Sequence, residues 1–351
     1  MEQTAVEKKF GKYVMASMIT MFLQSAYSMI DGLFVSNLIG DTALSAVNVA
    51  WPVIAVVTAI GTGVGCGGAV MMSTKQGEGK NEESNIVRAN VILALLASSI
   101  VVTILFLILL TPLLKLMGAE GELLRLSQIY GRVMLTGGVL QILSCGLTPL
   151  LRNDNRAVSA MMIMVGGLFV NLGLDFVFMY VFHMGIGGAA GASLCAQLFT
   201  TLCCLMILCT KKTDPIRLSQ FMIRKEYWKK IFKTAVSPFG ISLTPSLLIL
   251  YHNVACLKFG GDLAVNAYAL ISSTVGSYRV LLIGVAEGIQ PLASYAYGAH
   301  DFHAIRKIRN KAVITAMSVS FFLFIFTIAT ARFYPAIYGY EGEAAELGYH
   351  A

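Results

Sequence analysis

Four polar side chains interrupt apolar stretches of the sequence: Asp31, Asn171, Asp175 and Ser193. Charged groups are costly in lipid, so each acid there is a functional hypothesis. Asn171 precedes Asp175 by four residues, which places both on one face of a helix. Oxygen ligands that include a carboxylate suit Na+ or a proton. The alternative is that these groups only hydrogen-bond neighbouring helices, or the preceding turn in the case of Ser193.

Three further ionisable residues are candidates for a substrate cavity: Glu287, Arg279 and His252. Glu287 either attracts a cationic substrate or pairs with Arg279, two helical turns earlier. His252 occupies the position that corresponds to Asp31 in an internal repeat. It is interpreted either as a satisfied core histidine or as a group that takes part in proton coupling.

The elements that must position these residues are membrane helices. Apolar residues make up 56% of the chain and charged residues 13%, with a mean hydropathy of +0.72, which is typical of lipid-embedded proteins. Strands are excluded because alternating apolar patterns are absent and open sheet edges cannot face lipid. The predicted spans are residues 13–38, 48–74, 89–114, 127–151, 157–182, 184–210, 234–257, 264–296 and 312–331.

At the depths that these spans imply, Asp31 and Asp175 each lie ~10 Å from the outer membrane face, and Ser193 lies ~13 Å from it. Asn171 shares a helix with Asp175. The sequence therefore predicts that all four residues converge on one level of the N-terminal helices.

The basic residues predict the orientation of the chain. Most of the 26 Lys and Arg residues fall in alternate connections, which places the N-terminus in the cytoplasm. They are dispersed over five separate helix ends without a nucleic-acid-binding motif, so the net charge of +7 does not indicate a nucleic-acid partner. Metalloprotease, hydrolase and nucleotide-binding signatures are absent, so no enzymatic activity and no cofactor are expected.

An internal repeat aligns two stretches of the chain 221 residues apart without a gap. The repeat predicts an all-α polytopic membrane protein with two parallel-repeat helical bundles, six helices followed by three of an expected six. The predicted domains are an N-terminal lobe (1–210), a cytoplasmic linker (211–233) and an incomplete C-terminal lobe (234–351). The identical pairs are Gly40/Gly261, Asp41/Asp262, Ala43/Ala264, Ala46/Ala267, Gly63/Gly284, Val64/Val285, Gly67/Gly288, Ser73/Ser294, Gly77/Gly298 and Arg88/Arg309.

Five motifs in order resemble the MATE family of multidrug and toxic compound extrusion transporters. They are SMIDGLFVSNLIGDTALSAV around Asp31, LRNDNR, NLGLDFVF from Asn171, GIGGAAGASLCAQ and GIQPLASYAYGA. The resemblance implies a twelve-helix antiporter that exchanges Na+ or H+ for cationic, amphiphilic drugs by alternating access. It also implies that Asp31, Asn171 and Asp175 form the cation site and that Ser193 replaces a usual threonine. The chain ends before the last three helices of that pattern.

The expected function is therefore cation-coupled export of organic cations by a lipid-embedded monomer of a bacterial cytoplasmic membrane. A flippase for lipid-linked oligosaccharides, with a related fold, is one alternative. A non-transporting membrane module or fragment is another. The residues themselves do not distinguish Na+ from H+ as the coupling ion.

Overall fold

The computed structural model describes residues 3–210 and 220–330, and every regular element in that part of the chain is helical. The residues from 331 onward, which contain the end of the last predicted span, lie outside it, as do residues 211–219 of the predicted linker. The helices are α1 (Gln3–Ile39), α2 (Asp41–Gly77), α3 (Asn81–Leu116), α4 (Gly121–Thr136), α5 (Gly138–Leu151), α6 (Ala157–Asp175), α7 (Gly185–Cys209), α8 (Lys225–Gly298) and α9 (Phe302–Thr330).

Within the described ranges, six segments are long and apolar enough to cross a membrane. Helices satisfy their own backbone hydrogen bonds, which is why continuous apolar sequence in lipid adopts this conformation. The predicted span 127–151 is divided between α4 and α5, which meet at Gly137. The six segments are Lys9–Ile39, Thr42–Gly77, Asn81–Leu116, Gly138–Val181, Gly185–Cys209 and Phe302–Thr330.

Helix α8 covers two predicted spans in a single helical element of 74 residues. A straight helix of that length would measure ~110 Å at the α-helical rise. However, the rings of His252 and Tyr268 stack with their centroids 5.0 Å apart. Sixteen residues of straight helix would separate them by ~24 Å. The element therefore reverses direction between these two residues, and its limbs correspond to the predicted spans 234–257 and 264–296.

Both limbs of α8 pack closely on α1 and α2 through glycines. Gly77 meets the backbone of Tyr295, and Gly298 meets the backbone of Thr74. The two contacts are equivalent under the 221-residue offset of the sequence repeat. Small residues let helix backbones approach in lipid, where close packing rather than hydrophobic exclusion favours association.

Two more reciprocal pairs of contacts obey the same offset. In each pair a glycine of α2 contacts the first limb of α8, and the equivalent glycine of the second limb contacts α1. The repeated residues thus form equivalent packing contacts on both sides of this helix junction. The pairs are Gly63 with Phe239 and Gly284 with Met18, then Gly67 with Ala235 and Gly288 with Val14.

Buried apolar side chains form two clusters in the described residues. The larger cluster fills the space among α2, α3, α4, α5 and α7 and includes Ile231 and Ala235 of the first α8 limb. The smaller cluster joins Phe10 and Val14 of α1 to the second α8 limb and α9. Helix α1 therefore contributes side chains to both clusters.

Candidate functional site

Two acids and an amide meet near the end of α6. Asn171 Nδ2 donates a hydrogen bond of 2.8 Å to Asp175 Oδ2, one turn later in the same helix. Both side chains are buried. The side chain of Asp31 reaches the same place from α1 and lies close to that of Asp175. The structure therefore brings Asp31, Asn171 and Asp175 together, as the sequence predicts.

The chemistry of this acid pair follows from the proximity of its carboxyl groups. Two carboxylates cannot both stay ionised at hydrogen-bonding distance in a site with little water unless a cation compensates them. Asp31 Oδ1 is buried without a hydrogen-bond partner in the described part of the chain. The buried Tyr130 of α4 lies near Asp31 and Asp175. The pair can thus share a proton or bind a small cation through oxygen atoms.

Ser193 lies on α7 and is half-buried. Among the contacts of the described residues, none joins its hydroxyl to Asp31, Asn171 or Asp175. Its contribution to the site remains a prediction.

Glu287 forms an ion pair with Arg152, with 2.5 Å between Oε2 and Nη1. Of the two alternatives for Glu287, pairing with Arg279 does not occur among the described contacts. Arg279 is exposed on the same limb of α8. Eight residues of helix separate Glu287 from Arg279 by ~12 Å along the axis. Arg152, in contrast, directly follows the last residue of α5. Glu287 consequently joins α8 to the connection between α5 and α6.

His252 is exposed, so the interpretation as a core histidine is wrong. Its Nδ1 lies 2.8 Å from the carbonyl oxygen of Leu248, and its ring stacks on Tyr268. Glu287, Arg279 and His252 were predicted to share a substrate cavity. Within the described structure, Glu287 pairs with Arg152 and His252 stacks on Tyr268, and no contact joins either of them to Arg279.

A buried polar network surrounds the connection between α5 and α6. Asp154 accepts hydrogen bonds from Arg88 at 2.7 Å and from Gln76 at 3.2 Å. The helical path breaks there, because Asp154 and Asn155 leave α-helical dihedrals and Asn155 has φ of 66°. Asparagine is among the few residues that adopt positive φ readily. Tyr13 donates to Asn155 Oδ1 at 2.6 Å, which ties α1 to the break.

Sequence reasoning missed this network, because Arg88 and Arg152 belong to the basic helix ends that serve there only to predict the orientation of the chain. Both side chains are buried. The one signal in the sequence is Asp154, an acid flanked by asparagines within the LRNDNR motif. The network lies on the side of the molecule where α2 ends and α3 begins, remote along α6 from Asp175.

Comparison with known proteins decides the family. The MatE family model matches residues 16–177 and 241–351. The chain belongs to the MATE family. Its helices make it a multi-pass membrane protein.

The MATE relatives are longer than this chain. It is 24% identical over 298 residues to the multidrug export protein MepA of Staphylococcus saprophyticus, covering 84% of the chain and 66% of the relative. It is also 24% identical over 331 residues to MepA of Staphylococcus aureus N315, covering 94% of the chain and 72% of that protein. The chain therefore spans about two thirds to three quarters of the length of these relatives.

The fold is similar to that of a multidrug resistance MATE transporter of the MOP superfamily, solved in an outward-facing conformation. The TM-score is 0.91 at 25% identity, over 98% of this chain and 76% of that one.

Proposed function

We propose that this MATE protein exports organic cations across the cytoplasmic membrane in exchange for Na+ or H+. The observation that carries the proposal is the proximity of the carboxyl groups of Asp31 and Asp175, with Asn171 hydrogen-bonded to Asp175. The relatives named as multidrug export proteins support the class of substrate.

The acid pair couples the two fluxes by competition. When the pair holds a proton or Na+, its negative charge is neutralised and no longer favours a cationic substrate nearby. When the ion leaves, the charge returns and the substrate is held. A ligand shifts a conformational equilibrium only through its different affinity for the two states. Linkage then requires ion and substrate to weaken each other's binding reciprocally.

The architecture that we propose for this exchange has two parallel repeats, with six helices in residues 1–210, a linker in 211–233, and three helices in the remaining residues. Alternating access would occur by movement of one repeat against the other. The reciprocal contacts Gly77–Tyr295 and Gly298–Thr74 support a two-fold relation at the junction. The basic helix ends support an N-terminus in the cytoplasm.

The test is efflux of a fluorescent organic cation such as ethidium from cells lacking their own major efflux pumps. We expect Asp31→Asn and Asp175→Asn to abolish gradient-driven efflux, while Glu82→Gln, which removes an exposed acid, leaves it intact. Unchanged efflux in both Asp variants would overturn the assignment of the site. Absence of any ion-coupled flux by the unaltered protein, with movement of a lipid-linked oligosaccharide instead, would favour the flippase.

A further inference from the structure

The first two turns of α8 are fixed to the outside of the helix bundle. The backbone N–H of Arg224 donates to Asn90 Oδ1 of α3 at 3.0 Å. The Arg224 guanidinium lies 6.0 Å from the centroid of the Tyr227 ring. The beginning of the helix is therefore held at a defined position beside α3.

The beginning of α8 crosses from α3 to α2 and then follows α2. Gly67 of α2 packs against the backbone of both Ile231 and Ala235. The neighbouring Gly68 contacts Val91, one residue after the Asn90 that holds Arg224. Asn90 and Gly67 thus lie at the same level, and residues 224–231 connect them laterally. Beyond Ala235 the helix follows α2, as the contact of the next turn with Gly63 indicates.

The level of this segment corresponds to the edge of the hydrocarbon layer. The stretch 91–114 of α3 contains no charged side chain, so Asn90 marks the point at which α3 enters lipid. A segment at that level, on the periphery of the bundle, lies among the lipid headgroups. The basic residues on the same side of the molecule assign these headgroups to the cytoplasmic leaflet.

The two faces of the segment differ in chemistry. Tyr227, Trp228 and Ile231 pack on the larger apolar cluster. The opposite face exposes four lysines and one acid, Glu226. None of these lysines is in an ion pair among those of the described residues. Three of them share one stripe through their spacing of four residues. The four are Lys225, Lys229, Lys230 and Lys233.

Exposed apolar side chains accompany these lysines. Ile223 is 64% exposed, Met222 is 66% exposed and Phe232 is 41% exposed. An amphiphilic surface at this depth suits a molecule that has an anionic head and an apolar tail. A soluble polyanion would match only the lysines.

We propose that residues 222–233 form a binding surface for anionic phospholipids of the cytoplasmic leaflet, with the lysine ammonium groups contacting the phosphates and the exposed apolar side chains contacting the acyl chains. Basic residues next to a membrane surface attract anionic lipids by ~1 kcal/mol each, which corresponds to about a fivefold effect per lysine. The surface is separate from the acid pair of α1 and α6.

The chain contains two tryptophans, Trp51 and Trp228, and the second lies within this surface. In Trp51→Phe protein reconstituted in phosphatidylcholine nanodiscs, Trp228 becomes the only donor for energy transfer to a dansyl-labelled lipid. We expect stronger transfer to dansyl-phosphatidylglycerol than to dansyl-phosphatidylcholine at the same mole fraction. Unlabelled phosphatidylglycerol should displace the probe, whereas inorganic phosphate should not.

In the same background, K225Q/K229Q/K233Q should lower the apparent affinity for phosphatidylglycerol on the order of 100-fold. K12Q/R306Q/R309Q, which removes three exposed positive charges from α1 and α9 on the same side, is the matched control and should retain the affinity. Should the first triple variant fail to fold, Lys229→Gln alone should show about a fivefold loss and Lys229→Arg none.

Equal transfer to both labelled lipids would overturn the proposal. An equal loss in the two triple variants would also overturn it, because net charge alone would then be responsible. Displacement by inorganic phosphate would do the same, since it would indicate a site for free anions.

Discussion

Asp31 of α1 and Asp175 of α6 lie 144 positions apart in the chain, yet the fold brings their carboxyl groups close together. A hydrogen bond between two carboxyl groups requires a proton on one of them, and a bound cation can replace that proton. The site that we propose would therefore respond to a bound proton or small cation.

A stability measurement should detect this response without any transport. A ligand present at 100 times its dissociation constant stabilises a folded protein by ~2.7 kcal/mol. We expect the Tm of the purified protein to rise with NaCl relative to choline chloride if Na+ binds, or with decreasing pH if a proton binds. Asp31→Asn should remove the response, because the amide supplies a permanent donor to Asp175. A response that persists in this variant would contradict the assignment.

Asn171 should matter for stability through its hydrogen bond to Asp175. Asn171→Ala removes a donor from a fully buried carboxyl, and a buried polar group that loses its partner costs ~1–3 kcal/mol. We expect a Tm lower by several degrees in a detergent-based thermal unfolding assay. Ser193→Ala is the comparison, since the hydroxyl has no described contact with the acid pair. A larger loss for Ser193→Ala than for Asn171→Ala would refute this ranking.

Arg152 and Glu287 should depend on each other. Removal of one partner from a buried ion pair costs ~3–5 kcal/mol, because the other charge stays buried without compensation. The side chains of Arg152 and Glu287 are 7% and 23% exposed, so the cost for this pair should lie at or below the lower end of that energy range. Glu287→Gln should therefore lower the Tm, and the exchange R152E/E287R should restore part of it.

The control for this pair is Arg279→Gln, which removes an exposed cation from the same limb of α8 and should leave the Tm nearly unchanged. If R152E/E287R were as unstable as Glu287→Gln, the contact would contribute through packing and not through charge.

The sequence predicts the acid pair because the position of a residue within a membrane helix determines its depth in the membrane. Asp31 and Asp175 have the same expected depth. It does not predict the partner of Glu287. That partner is Arg152, which continues the helical path of α5 just before the path breaks at Asp154 and Asn155. Arginine in a polar segment usually indicates a solvated loop. Neither the composition nor the periodicity of the sequence therefore predicts that Arg88 is buried.

The reversal in α8 was predictable for a different reason. Its position corresponds, by the repeat offset, to the connection between α1 and α2 at Gly40. In both places glycine and aspartate are adjacent, Gly40 with Asp41 and Gly261 with Asp262. His252 shows the limit of this approach, because equivalence to Asp31 in the repeat predicts a position but not burial.

The glycine contacts allow a prediction with an internal control. A Cβ atom at Gly67 would lie 2.7 Å from the backbone N of Ala235, too close to be accommodated without separating the helices. A Cβ atom at Gly240 would meet nothing within 4 Å. Gly67→Ala should therefore lower the Tm, whereas Gly240→Ala should raise it, since alanine is favoured over glycine in a helix by ~1 kcal/mol.

The repeat adds a second expectation to this pair of variants. Gly288 is equivalent to Gly67 in the repeat, and a Cβ atom added to it would lie 2.6 Å from the Cα of Val14. Gly288→Ala should consequently destabilise the protein by about as much as Gly67→Ala, because the two substitutions disturb equivalent contacts. Thermal unfolding of the three variants side by side measures both expectations. Destabilisation at Gly67 with none at Gly288 would show that only one side of the junction depends on close backbone packing.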